Sequence, residues 1–379
     1  MIKHPVAFIQ FVLFIVLVFA PVPCLFADEP LQDDSLHDAF AERFVVGVGL
    51  NGNLREDYTD RERELIGRQF AIVTPANCMK MEHIWREPNQ YRWEEADAFV
   101  EYASANDLQV CGHCLIWAKD DRTPLWVYED DEGETLDRET MLRRMREYIH
   151  EVGGRYRGKV ASWDVVNEVL SDGGDVIRPS QWLDLIGEDY IDHAFRYAKE
   201  ADPDAVLVFN DYNIWMPYKR DKMLSLLQGL LDRGVPIDAV GMQGHWELDR
   251  VPFEEVEATI EAIESLGLKV MVTELDLDVV TRSRWWADGG KYREEMSQTD
   301  PFRDGCPEDV LQRQAEQYAQ LFEIFVRHGD AIDRITFWDL HDGHSWLNKF
   351  PWERANYPLL FDSDARSKPA FHAVLETAP

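Results

Sequence analysis

The sequence predicts an α/β fold, a (β/α)8 TIM barrel, and three observations point there. Short apolar runs alternate with amphipathic stretches along most of the chain; the runs number eight; and most of them finish on polar side chains, which a purely structural strand would not need. The apolar runs lie at 45–50, 71–75, 109–117, 161–168, 205–212, 239–246, 269–277 and 334–340. Helical patterns fall between them at 61–68, 93–106, 138–152, 179–200, 217–233, 252–266 and 308–328, and one at 369–376 closes the chain. Met141, Met145 and Ile149 recur four apart, on one face of a helix. Pro217 and Pro252 stand where helices begin, positions at which a missing N–H does no harm. No Pro/Gly/Ser-rich linker and no shorter repeat divides the chain, so one catalytic domain is expected over 35–379.

Composition narrows the function. The 379 residues carry 71 Asp and Glu against 39 Lys and Arg, a formal net charge of −32. Nucleic acid as a partner is excluded on this count, because its phosphates need cationic neutralisation; anionic membrane surfaces are disfavoured for the same reason. The charge is spread along the chain, as on a solvated surface. Hydrophobic residues make up 45%, enough for a large core, and the 13 Trp offer flat apolar faces of the kind that sugar rings stack on.

Residues 1–27 are set apart from the fold. Lys3 and His4 precede an apolar stretch from Val6 to Ala20, and Ala27 comes just before the acidic Asp28 and Glu29. This is the layout of a secretory signal, which implies a secreted or periplasmic protein with no membrane attachment once the signal is removed. An uncleaved anchor is the alternative, but the apolar stretch is short for a span. Four cysteines remain beyond it: Cys78, Cys111, Cys114 and Cys306. Cys111-Gly-His-Cys114 imitates a redox dithiol, yet it runs into Leu115-Ile-Trp117 and so reads as strand interior with buried thiols. A disulfide is compatible with export, and its pairing stays open.

In barrels of this kind the chemistry sits at the C-terminal ends of the strands. Those ends carry Asn77 and Lys80, His113 and Trp117, Asn167 and Glu168, Asn210 to Asn213, Gln243 and His245, Glu274 and Asp276, and Trp338. Two of the runs, Ser162-Trp-Asp-Val-Val-Asn-Glu168 and Lys269-Val-Met-Val-Thr-Glu274-Leu-Asp276, bring a glutamate to the rim. An unpaired buried carboxylate is costly, so two of them at strand ends suggest acids facing one another across a cleft. That is the pair glycoside hydrolysis needs: one acid protonates the leaving oxygen while the other attacks or activates water.

The stretches Asn77-Cys-Met-Lys80, Gly112-His-Cys-Leu-Ile-Trp117, Trp163-Asp-Val-Val-Asn-Glu168, Asn210-Asp-Tyr-Asn213, Gly241-Met-Gln-Gly-His245, Thr273-Glu-Leu-Asp276 and Trp338-Asp-Leu-His-Asp-Gly-His-Ser-Trp346 resemble family 10 glycoside hydrolases, the endo-1,4-β-xylanases. The resemblance runs from about Val45 to Phe371. It implies a retaining enzyme with Glu168 as general acid/base and Glu274 as nucleophile. Asn167, His245, Asp276 and Gln243 are implied as supports of the two acids. Asn77, Lys80, His113, Trp117, Asn213, Trp338 and Trp346 are implied as contacts to a xylan or xylo-oligosaccharide substrate. No cofactor and no metal is implied, and the chain is expected to act as a monomer.

This sequence departs from the family pattern at several places. Ala76 stands where the family usually has Glu, Ala118 where it tends to have His, and Asp339 where Gly is common. The loop Lys119-Asp-Asp-Arg-Thr-Pro124 is longer than usual. These changes keep the catalytic set and leave substrate preference open, with decorated xylan, other β-glycans and plain xylan all compatible. A carbohydrate-binding protein without turnover would be expected to lose one Glu or His245, and both glutamates and the histidine are present. His341, Asp342 and His344 form a metal-like cluster, and the two histidines are expected instead to be neutral surface or sugar-contact groups.

Overall fold

The computed structural model describes Met1 and residues 35–379. The expected export segment, apart from Met1, lies outside the described residues. Among the described residues no helix is long and apolar enough to cross a membrane.

Nine strands form the sheet: β1 Val45–Leu50, β2 Ile72–Pro75, β3 Gln109–Trp117, β4 Ser162–Asn167, β5 Val206–Tyr212, β6 Ala239–Gln243, β7 His245–Glu247, β8 Lys269–Asp278 and β9 Ile332–Trp338. All pairings are parallel. The order runs β6-β5-β4-β3-β2-β1-β9-β8, and β6 pairs with β8, which closes an eight-stranded barrel. The short β7 continues β6 and adds to β8 beyond the ring. Helices occupy the connections, so both faces of each strand are covered, and the strands read as near-continuous buried runs, as parallel strands do.

The eight expected strands are the eight strands of the barrel, with two differences. The run at 239–246 breaks at Gly244 into β6 and β7, and the last strand starts at Ile332 and ends at Trp338, so Asp339 lies outside it. The single helix expected at 179–200 is two, Gln181–Ile186 and Tyr190–Ala201. Gly187 between them has φ +102°, a conformation that stops the first helix and that glycine adopts without a side-chain clash. The helix over Asp60–Gln69 starts on a capping box: Thr59 accepts from the Glu62 N–H, and Glu62 accepts from the Thr59 N–H.

Three strands end in the same way. The first residue past β4 is Glu168 (φ +55°), past β5 Asn213 (φ +56°), and past β9 Asp339 (φ +82°). All three are non-glycine residues in the left-handed region, which is sparsely populated and costs Glu more than Asn or Asp. The turn swings each side chain out of the strand alternation at the C-terminal rim. Elsewhere the layer between the strands and the outer helices is tightly filled. A Cβ at Gly112 would sit 2.1 Å from the Trp163 ring of the neighbouring strand, and Trp163 is fully buried.

Gly112→Ala is therefore expected to lower the unfolding free energy by about 1–3 kcal/mol, the usual range for overpacking a filled core. Gly174→Ala, where an added Cβ meets nothing within 4 Å, serves as the neutral control. Urea melts of both variants check the expectation, with a lowered midpoint for the first alone.

Candidate active site

The site is built outward from Glu274, near the end of β8. Its carboxylate is buried, and both oxygens are occupied. Oε1 accepts from Asn210 Nδ2 at 3.0 Å, and Oε2 lies 3.0 Å from His245 Nε2. The other ring nitrogen, His245 Nδ1, is 2.8 Å from Asp276 Oδ2. His245 and Asp276 are register partners in the β7–β8 pair, so the bond follows from strand pairing. Trp346 Nε1 donates to the same Asp276 oxygen at 2.8 Å.

Charge follows from this geometry. Burial alone would push the His245 pKa down, but the carboxylates of Asp276 and Glu274 on its two nitrogens outweigh it and raise the value to about 9. Burial opposes ionisation of Glu274 as well. There the hydrogen bond and charge of His245, the charge of His113 and the bond from Asn210 prevail, and its pKa is lowered. The two directions agree: the pair is an imidazolium donating to a carboxylate.

Glu168 is joined to Glu274 through a bridge of amides. Gln243 Nε2 is 3.4 Å from both Glu168 Oε1 and Asn167 Oδ1. Asn210 Nδ2 donates to Asn167 Oδ1 at 2.9 Å as well as to Glu274, while Asn210 Oδ1 accepts from Thr273 Oγ1 at 2.6 Å. On its outer side Glu168 faces Arg178, with Nη1 3.5 Å from Oε2. A one-bridge hairpin, Leu170 against Ile177, brings Arg178 back over the strand end. Arg178 Nη2 donates to Tyr212 OH at 2.5 Å.

A second cluster lies at the ends of β1 to β3. Lys80 Nζ donates to Asn77 Oδ1 at 3.1 Å and sits 4.6 Å from the centre of the Trp117 ring. Burial pushes the Lys80 pKa down, partly offset by Cys114, Glu274 and Glu168. Asn77 Nδ2 donates to Asn51, whose own amide is 3.3 Å from Asp339 Oδ1. The Asp339 pKa is raised to about 7, by burial first and by the Asp276 charge. His113 Nδ1 is 2.7 Å from Asp164 Oδ2 inside the barrel, and its ring meets Trp338 edge-on at 5.5 Å. Trp338 also meets His245, with ring centroids 6.4 Å apart.

Most of the residues expected from sequence thus converge at one end of the barrel. Asn213 serves the turn into the helix Pro217–Asp232, and the amide that joins the two acids belongs to Asn210. Asn210 and Tyr212, from the expected strand end Asn210 to Asn213, complete the cluster together with Asn51 and Arg178, which the sequence did not single out. Asn51 and Arg178 reach the site only through the fold. The loop after β3 places Lys119 and Arg122 within 5.5 Å and 5.7 Å of the Trp117 ring centre. Ala76 and Ala118 are both buried, so neither is an open gap in the cleft wall. A cavity of about 500 Å³ lies at the opposite mouth of the barrel, lined by strand starts such as Gln109, Ser162 and Arg334 and by no residue of the expected site.

Two further expectations are resolved. The four cysteines are free thiols, and Cys111 and Cys114 are buried in β3. The expectation for His341 as a surface or sugar-contact group is corrected: it is 3% exposed and lies 2.6 Å from Glu62 Oε1. Asp342 is equally buried and pairs with Lys368 at 2.9 Å. Glu62, His341 and His344 bring donor atoms within 4.8 Å of one another, the spacing a metal ion would need. The Gly343 N–H, however, points at His341 Nδ1. That makes Nε2 the protonated nitrogen and a donor to Glu62, with no lone pair to offer a cation.

The imidazolium supplies a testable linkage. A histidine pKa raised on folding contributes stability that is fully present below about 6.5 and is lost as pH rises through about 9. The Tm difference between the wild type and His245→Asn is therefore expected to be larger at pH 6 than at pH 10. Thermal melts across that range check it; a constant difference would mean that His245 is not charged in the native protein.

The profile of glycosyl hydrolase family 10 matches residues 35–377. An endo-1,4-beta-xylanase of Geobacillus stearothermophilus is 37% identical over 344 residues, covering 90% of this chain and 98% of that protein. Endo-1,4-beta-xylanase B of Paenibacillus barcinonensis is 36% identical, with coverage of 90% and 97%. Among solved structures, a GH10 endoxylanase retrieved from sugarcane soil metagenome superimposes with a TM-score of 0.84 at 35% identity, covering 91% of this chain and 99% of that one. A profile match over nearly all the described chain, and relatives alike along nine-tenths of it, agree with the two glutamates joined across the barrel rim: the chain belongs to glycosyl hydrolase family 10.

Proposed function

We propose that this protein is an exported endo-1,4-β-xylanase that cleaves internal bonds of xylan with retention of anomeric configuration. The observation that carries the reading is the fixed state of Glu274. Both of its oxygens are held, one by an imidazolium and one by an amide. Such a carboxylate stays ionised and aimed, as a nucleophile requires.

In this reading Glu274 attacks the anomeric carbon while Glu168 protonates the departing oxygen. The glycosyl–Glu274 ester neutralises the nucleophile's charge. Glu168, now a carboxylate, takes a proton from the incoming water, and the ester is hydrolysed. The Gln243–Asn167–Asn210 bridge fixes both acids with respect to each other. Lys80, Asn77 and Asn51 supply donors and acceptors for sugar hydroxyls, and Trp117, Trp338 and Trp346 supply apolar walls. The relatives, endo-1,4-beta-xylanases by name, support xylan as the polymer, and the layout of residues 1–27 supports export. The departures from the family pattern at Ala76 and over 119–124 leave decorated xylan as the second reading. Product sizes from a panel of plain and decorated xylans, glucans and mannans test this choice.

Two variants separate the roles. Glu274→Ala is expected to abolish turnover of every glycoside while leaving the fold intact; substantial activity on an aryl xyloside would remove the nucleophile assignment. Glu168→Ala is expected to slow cleavage of xylan far more than cleavage of a dinitrophenyl xyloside, whose leaving group needs little protonation. Equal losses on both substrates would rule out the acid role.

Retention is read directly from the product. Proton NMR during early turnover is expected to show the β-anomer first, with the α-anomer appearing only by mutarotation. The α-anomer first would mean direct attack by water.

A further inference from the structure

The mouth of the barrel opposite the two acids holds a buried charge. Register sets the interior layer there: Val45 and Met271 lie beside Arg334, and Cys111 and Val206 lie beside Ser162. Barrel interiors are normally filled by branched apolar residues. Here Arg334, 3% exposed, reaches from β9 across the interior to β4, where its Nη1 donates to Ser162 Oγ at 2.7 Å. Both residues line the cavity of about 500 Å³ at this mouth, together with Val45, Ile72, Val206 and Met271.

A buried guanidinium is costly unless an anion accompanies it. Among the described residues Arg334 makes no ion pair, and its buried Nε has no acceptor. The groups around it are engaged elsewhere or uncharged. Asp164, two residues further along β4, has one oxygen 2.7 Å from His113 Nδ1 and the other 3.9 Å from Cys111 Sγ. Burial pushes the Cys111 thiol up, against the pull of the Arg334 charge, so the thiol stays neutral. At the outer edge Lys269 Nζ takes Asp333 at 3.3 Å and the Asp330 carbonyl at 2.7 Å. Glu42 and Arg43 are exposed there. One positive charge is thus held inside the barrel with no anion in contact.

We propose that Arg334 and Ser162 form a binding site for a small monocarboxylate with a short aliphatic chain. The guanidinium carries five N–H donors in a planar fork that matches a carboxylate. Ser162 accepts from Arg334 and has its own O–H to donate. Val45, Ile72, Val206 and Met271 give the ligand's carbon chain an apolar wall. A monoanion cancels the Arg334 charge. A dianion such as phosphate would bring surplus charge toward Glu42, Asp330 and Asp333 at the mouth. The site lies at the strand starts, so the ligand stabilises the barrel without entering the cleft between Glu168 and Glu274.

The test follows the Tm of the wild type against sodium acetate, propionate and butyrate at pH 7, with chloride and phosphate at matched ionic strength. The carboxylates are expected to raise Tm saturably, by about 3–5 °C at a hundredfold excess over Kd for a chain of this size. The same rise is expected in Lys80→Met, which removes the buried cation of the opposite rim. Arg334→Met, which keeps the side chain's length and drops its charge, is expected to lose it. Calorimetric titration of propionate into the wild type is expected to show one site with a Kd on the order of 1 mM, and no site in Arg334→Met. Where Arg334→Met does not fold, Val206→Glu, which sets a carboxylate of the chain's own beside Ser162, is expected to abolish the rise. The site is overturned by the absence of a saturable rise or by one as large with chloride or phosphate. A rise lost in Lys80→Met, or kept in Arg334→Met or Val206→Glu, overturns it as well.

Discussion

The imidazolium of His245 is the interaction around which the rest of the site is arranged. Three carboxylates, Glu168, Glu274 and Asp276, are crowded into one rim of a strongly acidic chain. A single buried cation with two opposed donors meets Glu274 on one nitrogen and Asp276 on the other, and it holds the Glu274 pKa down. The geometry is inexpensive because it comes from strand register: the break at Gly244 lets β7 begin at His245, opposite Asp276. Trp346 then finds its donor's partner in the same Asp276 oxygen. One charge thereby orients both the nucleophile and an aromatic wall of the cleft.

Around this centre, polar groups are satisfied in chains and not in isolated pairs. Asn210 touches Asn167, Thr273 and Glu274. On the outer side Lys219, fully buried, lies 3.0 Å from Asp211 and 3.2 Å from Asp172, beneath the Tyr212 ring. Buried networks of this kind are favourable when each member is paired and costly when one is lost.

Much of this was legible in the sequence because it is local. A strand announces itself by its apolar run, and its last residue is then known to reach the rim; Glu168, His245, Glu274, Asp276 and Trp338 all follow from that rule. The residues that escaped it depend on distant chain. Asn51 reaches Asn77 across neighbouring strands, and Arg178 returns to Glu168 through a hairpin ten residues long in sequence, from Val169 to Arg178. His341 looked like a surface histidine because the acid it serves, Glu62, lies at the other end of the chain. Asn213 was legible as a strand-end amide, but its left-handed backbone turn was not.

The left-handed conformation of Glu168 has an evolutionary consequence. At φ +55° a glutamate pays a backbone cost that glycine would avoid altogether and asparagine would reduce. Selection for stability alone would push this position toward those residues, while selection for chemistry holds it at glutamate. The position is thus one where a gain in robustness and the loss of the carboxylate come in the same step. A lineage released from the need for turnover would be drawn there early, keeping a barrel and a sugar-shaped cleft while its chemistry disappeared.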